Sequence, residues 1–311
     1  MEAAIVSNQK PHRVRRSWEL VKSSWHVLKL DKELLTLPLI GMLLSLAVAI
    51  AAGILYGLTI LLHWGNLTIT QGSNGTESTA HWGWTGAVIL ALLLIGVTFV
   101  SNFIAVAIAK GALDRFSGQD PTIKSSLRAA KARSASIFKW SLLSLTVGLI
   151  LQTIQERVPF AAKILVWLGE MVWGVATFFV VPIIAVSEKP VGPIQATKES
   201  TSIIKRVWGE SLIVNLGVGL IALLSMLVYI PLAIIISFLA STVSVPLAIA
   251  LGILAFLGFF VLILVFNVLG AIAKAAVYYW ATTDKAPENF DKELLRASLT
   301  DRKARKIFAL R

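Results

Sequence analysis

The chain contains no cysteine. That excludes a disulfide, a zinc–thiolate site, an iron–sulfur cluster and a thiol nucleophile. Charge is scarce as well: 15% of the 311 residues are charged, against about 25% in soluble globular domains. There are only four histidines, and no His-Glu-x-x-His pair occurs among them. No Gly-x-x-x-x-Gly-Lys-Ser/Thr loop is present to cradle a nucleotide phosphate, and no Gly-x-Ser-x-Gly elbow to present a nucleophile. Paired carboxylates within the apolar segments are missing, so general acid–base chemistry has no visible seat. These absences argue against an enzyme, and no cofactor or metal is expected.

What the chain has in excess is apolar: 56% of its residues are hydrophobic, against roughly 45–50% in a soluble domain. A bilayer core of about 30 Å needs about 20 apolar residues per helix. Six stretches meet or approach that length, from about Thr36 to Leu62, Gly86 to Ala109, Ile137 to Ile154, Ala161 to Ser187, Ser211 to Ala240 and Val245 to Trp280. The last is too long for the hydrocarbon alone, so it must tilt or project beyond it. The expected class is an all-α polytopic membrane protein with six transmembrane helices.

The net charge of +12 could suggest nucleic acid. The placement of the charges argues otherwise. Lys and Arg in the segments outside the spans number 7, 0, 5, 2, 4, 0 and 8 in chain order. That alternation is the positive-inside pattern for both termini in the cytoplasm. The basic rims then face anionic lipid head groups, and nucleic acid is not an expected partner. A homo-oligomer or a partner in a membrane complex is compatible with the pattern. The first span is long and lacks a small-residue cleavage site after it, so it reads as a retained helix.

Before the spans lie three amphipathic cytoplasmic helices. In the first, Val14, Trp18, Val21, Trp25 and Leu28 share one face, and Arg15, Arg16, Lys22 and Lys29 lie elsewhere. Such a helix suits the head-group plane, or packs on the protein's own spans. The second, from about Thr122 to Ser136, sets Ile123, Leu127 and Ala130 against Lys124, Arg128, Lys131 and Arg133. The third runs from about Pro193 to Trp208, with the proline at its N-terminus. Trp18, Trp25, Arg15, Arg16, Lys22, Arg128, Lys131 and Arg133 are thus the candidate lipid-interface residues.

Short internal matches accompany this order. Ser17, Lys22 and Trp25 recur in spacing as Ser200, Lys205 and Trp208, and Ser126 with Lys131 repeats part of it. Ala107–Ala112 is similar to Ala271–Ala276. The simplest unit is a cytoplasmic helix followed by a two-span hairpin, in three copies covering roughly residues 13–120, 121–190 and 191–286. These units form one membrane domain, and residues 287–311 form a basic cytoplasmic tail in which Arg302, Lys303, Arg305 and Lys306 cluster.

Polar groups inside a bilayer are functional candidates by default. Glu170 is the acid well inside a span, roughly 12 Å from the outer end of the fourth helix. Lys163 lies seven residues earlier on the same face. A Glu170–Lys163 or Glu170–Arg157 ion pair that fixes packing is the alternative to a ligand contact. Asn102, Asn215 and Asn267 sit in the second, fifth and sixth spans, where interhelical hydrogen bonds are the common use. Lys110 and Lys274 are read as snorkelling to the interface. Gly53 and Gly57 permit a close helix approach. Pro182 and Pro231 can kink the fourth and fifth spans. Trp64, Trp82, Trp84, Trp140 and Trp280 are placed for interfacial belts. Sequons occur at Asn66 and Asn74 in the external loop.

Two stretches carry a resemblance. Arg16-Ser-Trp-Glu-Leu-Val-Lys-Ser-Ser-Trp-His-Val-Leu-Lys-Leu-Asp-Lys-Glu-Leu-Leu-Thr-Leu-Pro38 and Ile184-Ala-Val-Ser-Glu-Lys-Pro-Val-Gly-Pro-Ile-Gln-Ala-Thr-Lys-Glu-Ser200 resemble an uncharacterised prokaryotic family of six-span integral membrane proteins. More distantly, they are similar to the membrane domains attached to some glycerophosphodiester phosphodiesterases. The resemblance implies the inner membrane of a prokaryote. It brings no activity and no functional residue, and the phosphodiesterase's catalytic domain has no counterpart here. Two function classes stand: a non-enzymatic protein that binds lipid or scaffolds a membrane complex, and an oligomeric channel or small-solute or lipid transporter using a polar site near Glu170.

Overall fold

In the computed structural model, described residues are 13–31, 33–62, 68–71, 78–81, 83–206, 210–287 and 290. Within its helices and strands, side chains are described outside 13–20, 68–71, 78–81, 161, 206, 210–217 and 220. The sequons and residues 291–311 therefore lie outside the description, as do the side chains of Arg15, Arg16 and Trp18.

Three short polar helices and three apolar hairpins alternate along the chain. The first group is α1 (Arg13–Leu30), α2 (Glu33–Leu61) and α3 (Trp84–Phe116). The second is α4 (Ile123–Ala132), α5 (Ser134–Arg157), α6 (Lys163–Ala176) and α7 (Val180–Val186). The third is α8 (Pro193–Arg206), α9 (Glu210–Val243) and α10 (Val245–Thr283). Six helical segments are long and apolar enough to cross a membrane, with α6 and α7 together forming the fourth. This is the expected all-α, six-span class.

Between α2 and α3 the chain adds a two-stranded antiparallel hairpin, β1 (Thr68–Gln71) with β2 (Ser78–His81), pairing Thr68 with His81 and Gln71 with Ser78. The sequence reads there as an external loop. Its strands are short and polar, without the apolar alternation that marks a half-buried strand.

Proline shapes the fourth span. Pro182 has no amide to give the carbonyl of Phe178, and its ring crowds that carbonyl. The helix accordingly stops at Ala176 and restarts at Val180. Pro231, the other expected kink, lies within continuous α9.

Burial is concentrated at one end of the bundle. The fully buried large side chains include Leu34, Leu37, Ile108, Ile137, Phe179, Ile183, Ile184 and Ile272. The other halves of the spans carry exposed Leu, Ile, Phe and Val along nearly their whole length, such as Leu43, Ile54, Leu227, Ile234 and Phe256. At about 58 Å, α10 is nearly twice the hydrocarbon thickness, and the stretch that projects, Val268–Tyr278, is its buried part. Lipid tails give apolar helices no reason to collapse together. Outside the hydrocarbon, burying each Leu or Ile stabilises by about 1.5–3 kcal/mol. The packed core therefore sits where the helices leave the membrane.

There, each polar helix lies against the preceding hairpin. α4 packs on α3 and α2, and α8 packs on α7, α6 and α5. α1 closes the ring by packing on α9 and α10. Each turns a buried serine inward: Ser24, Ser126 and Ser200. These three share one pattern, Lys-x-Ser-x-x-x-x-Lys, as Lys22 to Lys29, Lys124 to Lys131 and Lys198 to Lys205. Each serine precedes the start of its own hairpin by eight to ten residues. The position in α1 that matches Ser126 and Ser200 is thus Ser24, two turns beyond the Ser17 suggested by sequence spacing.

Polar ties lock the layer. Arg115 at the end of α3 donates through Nε to Asp31 at 2.6 Å and through a guanidinium nitrogen to Asp120 at 2.6 Å. Glu33 accepts the amide of Ile123 at 2.9 Å, the first of α4. Thr122 and Ser125 form a capping box beside it.

Candidate functional site

The three hairpins do not meet equally. The first joins the second through α3 and α5, where Asn102 donates to the hydroxyl of Ser141 at 3.0 Å and Phe99 sits edge-on to Phe138. It joins the third through α10, which packs along α2 and α3. Between the second and third, α7 and α8 meet α10 in the buried layer, but α6 does not pack along α9 or α10. A cavity of about 520 Å³ occupies that junction. Its walls come from α3, α6, α7, α9 and α10.

Small residues line it. Gly174 in α6, Gly219 in α9 and Gly270 in α10 all line it. A Cβ added at Gly174 or Gly219 would have nothing within 4 Å, and one at Gly270 would touch only Val218 at 3.9 Å. At Gly41 and Gly111 glycine instead serves close packing. A Cβ would come within 2.8 Å of Ile104 at Gly41 and within 2.7 Å of Leu34 at Gly111. Small residues can hold helices together, but the three in the cavity hold them apart from nothing. They keep space open.

Three polar side chains face that space: Thr177, Asn267 and Lys274. Thr177 donates to the carbonyl of Trp173 at 2.8 Å, leaving its lone pairs free. Asn267 is exposed and makes no hydrogen bond among the described residues. The ammonium of Lys274 lies 5.3 Å from the ring of Phe178, with no carboxylate partner among the described residues. Lys110, its counterpart in the Ala107–Ala112 match, pairs instead with Asp114. Neither lysine is simply a snorkelling side chain.

The remaining expectations divide. Glu170 is half-buried one turn from Gly174 on the cavity-facing side of α6, beyond the cavity's lining. It forms no ion pair with Lys163 or Arg157 among the described residues, and Lys163 is exposed. Asn215 lies one turn before Gly219 on α9, with its side chain outside the description. Asn102 donates to Ser141 and is not among the residues that line the cavity. The candidates are therefore not one cluster: Asn267 lines the cavity, Glu170 and Asn215 flank it in sequence, and Asn102 and Lys163 do not join it. Lys274 and the glycines complete it.

On the polar helices, Lys22, Arg128 and Lys131 are exposed. Arg133 is a structural tie, donating to the carbonyls of Ser187 and Ala129, both at 2.9 Å. Trp25 is 42% exposed, with Lys29 over its ring, while Val21, Val27 and Leu28 are buried. The packed face of α1 is thus rotated away from Trp25. Trp140 is 6% exposed and stacks on Trp173, so it belongs to the core and not to a belt. Gly53 and Gly57 face open space and mark no close approach. No group of three or more His, Asp or Glu able to hold a metal occurs among the described residues.

The sequence model of a family of unknown function, DUF6159, matches residues 84–288. The chain belongs to that family. Every residue described as lining the cavity falls inside the matched stretch, as do α4 and α8 of the polar layer. No curated protein and no solved structure matches this DUF6159 protein.

Proposed function

We propose that this DUF6159 protein is a non-enzymatic membrane protein that binds a lipid sideways, in the groove between its second and third hairpins. The observation that carries the reading is the glycine-widened cavity at the level where lipid-facing helix surfaces give way to the buried layer. A volume of about 520 Å³ lies in the range of small-ligand sites, roughly 300–1,000 Å³. Its lining is mostly Ala, Val, Phe and Gly, with three polar groups, which suits an amphiphile better than a free polar solute.

In this reading the polar layer faces the cytoplasm of a prokaryotic cell. Its exposed Lys22, Arg128 and Lys131 lie beside anionic head groups, and Trp25 rests at the interface. A partner protein or a second copy then meets the protein through this rim or through its lipid-facing spans. Transport is the second reading. It is favoured by Glu170, which continues the groove face of α6 by one turn. Transport requires a polar path from the cavity to that carboxylate.

Native mass spectrometry of the protein extracted with its lipids tests the groove. Gly219→Leu has room for its side chain and fills the cavity. The wild type should carry lipid through extraction and Gly219→Leu should lose most of it. Equal lipid on both would refute the groove as the binding site.

A further inference from the structure

Resting on that reading, we propose that the occupant is an anionic phospholipid whose phosphate is neutralised by Lys274. The comparison of two lysines leads there. Lys110 of α3 and Lys274 of α10 occupy the same place in the matching stretches Ala107–Ala112 and Ala271–Ala276. Four residues on, one helical turn, α3 has Asp114 and α10 has Tyr278. Lys110 is therefore paired within its own helix, and Lys274 is not. Phe178 offers it a ring face, which attracts a cation but leaves its charge uncompensated.

A half-buried ammonium against apolar walls is costly without a counter-ion. No carboxylate lines the groove among the described residues. The missing charge must come from the ligand. The lysine stands within the buried layer, and the groove runs from it past Gly270 to Asn267 at the layer's edge, two turns away on the same face of α10. A phosphodiester held at Lys274 leaves the glycerol and ester region near the free Asn267 amide, which can donate to a carbonyl. The acyl chains then run on past Asn267 along the exposed apolar surface of α9. A free phosphate shares the chemistry at Lys274 but gains nothing from the rest of the groove, so the lipid is the source to which the geometry commits.

The test uses the full chain in mild detergent with photoreactive, clickable phosphatidylglycerol or phosphatidylcholine, and crosslink yield as the readout. Both lipids carry the phosphodiester, but in phosphatidylcholine its charge is already offset by the quaternary ammonium of the same head group, so phosphatidylglycerol should label the wild type about tenfold more, the factor expected of one net charge-assisted contact. Lys274→Met should abolish that preference while phosphatidylcholine labelling persists, and Lys274→Arg should keep it. Inorganic phosphate should not compete. The comparison of the two lipids on the wild type needs no variant, so it stands even where Lys274→Met folds poorly. Equal labelling by both lipids, or a preference unchanged in Lys274→Met, would overturn the inference and leave lipid binding intact. Competition by inorganic phosphate would overturn it in favour of a free anion. Absence of labelling by either lipid would overturn the groove reading itself, and this inference with it.

Discussion

The hydroxyl of Ser200 in α8 accepts the backbone amide of Phe179 at 3.0 Å, at the break between α6 and α7. Both residues are fully buried. The break strips that amide of its helical partner, and the serine supplies a substitute. Ser24 and Ser126 occupy the matching positions in α1 and α4, yet neither hydroxyl has a hydrogen-bond partner among the described residues. The three serines should therefore respond differently to removal. Ser200→Ala leaves a buried amide unsatisfied and should cost about 1–3 kcal/mol. Ser24→Ala and Ser126→Ala should be neutral or slightly stabilising. Thermal unfolding in one detergent ranks the three, and an equal loss for all would contradict the assignment.

Glycine substitutions should separate in the same way. Gly111→Ala drives a methyl group into Leu34 and the hydroxyl of Ser126, both within 3.0 Å of the added atom. Overpacking of that kind costs about 1–3 kcal/mol. Gly219→Ala meets open space, and a helix gains roughly 0.5–1 kcal/mol when glycine is replaced by alanine. Melting temperature should fall in the first variant and hold or rise in the second.

Asp31 is buried, and Arg115 is its partner across 84 residues of chain. Hydrogen bonds to charged groups contribute about 1.5–3 kcal/mol, and Arg115 keeps Asp120 as a partner when Asp31 is lost. Asp31→Ala should destabilise the protein by about 2 kcal/mol. Because Asp31 is only 5% exposed, added salt should change the loss little. Denaturation at low and high ionic strength measures both.

Orientation is open to a direct assay because the chain lacks cysteine. A cysteine placed at exposed Lys131 should react with a membrane-impermeant maleimide only after the cells are opened. One placed at Thr79 in the strand hairpin should react from outside intact cells. The reverse pattern would overturn the cytoplasmic placement of the polar layer.

Much of this fold is legible in the sequence because a bilayer leaves few options. Long apolar runs must be helices, and the three basic segments before them carry their own amphipathic pattern. Pro193 and Pro182 mark a helix start and a break that the structure contains. The polar hairpin between Thr68 and His81 has no such signal. The covered face of α1 differs from the apolar stripe in the sequence, because tertiary contact with α9 and α10 decides which side is covered and leaves Trp25 out. The groove was harder still. Gly174, Gly219 and Gly270 come from three helices, and spacing along one helix cannot reveal a space shared by several. Lys274 looked like Lys110 until Asp114 and Tyr278 distinguished them. Glu170 is an isolated acid in the sequence, and it forms no ion pair among the described residues, beside the cavity's lining.

The most direct measurement of the central claim is a high-resolution structure in nanodiscs of native lipid. The account predicts an ordered lipid between α6, α9 and α10, with its head group at Lys274 and its glycerol region beside Gly270 and Asn267. A groove closed by protein, or filled by water continuous with Glu170, would contradict it, the latter in favour of transport.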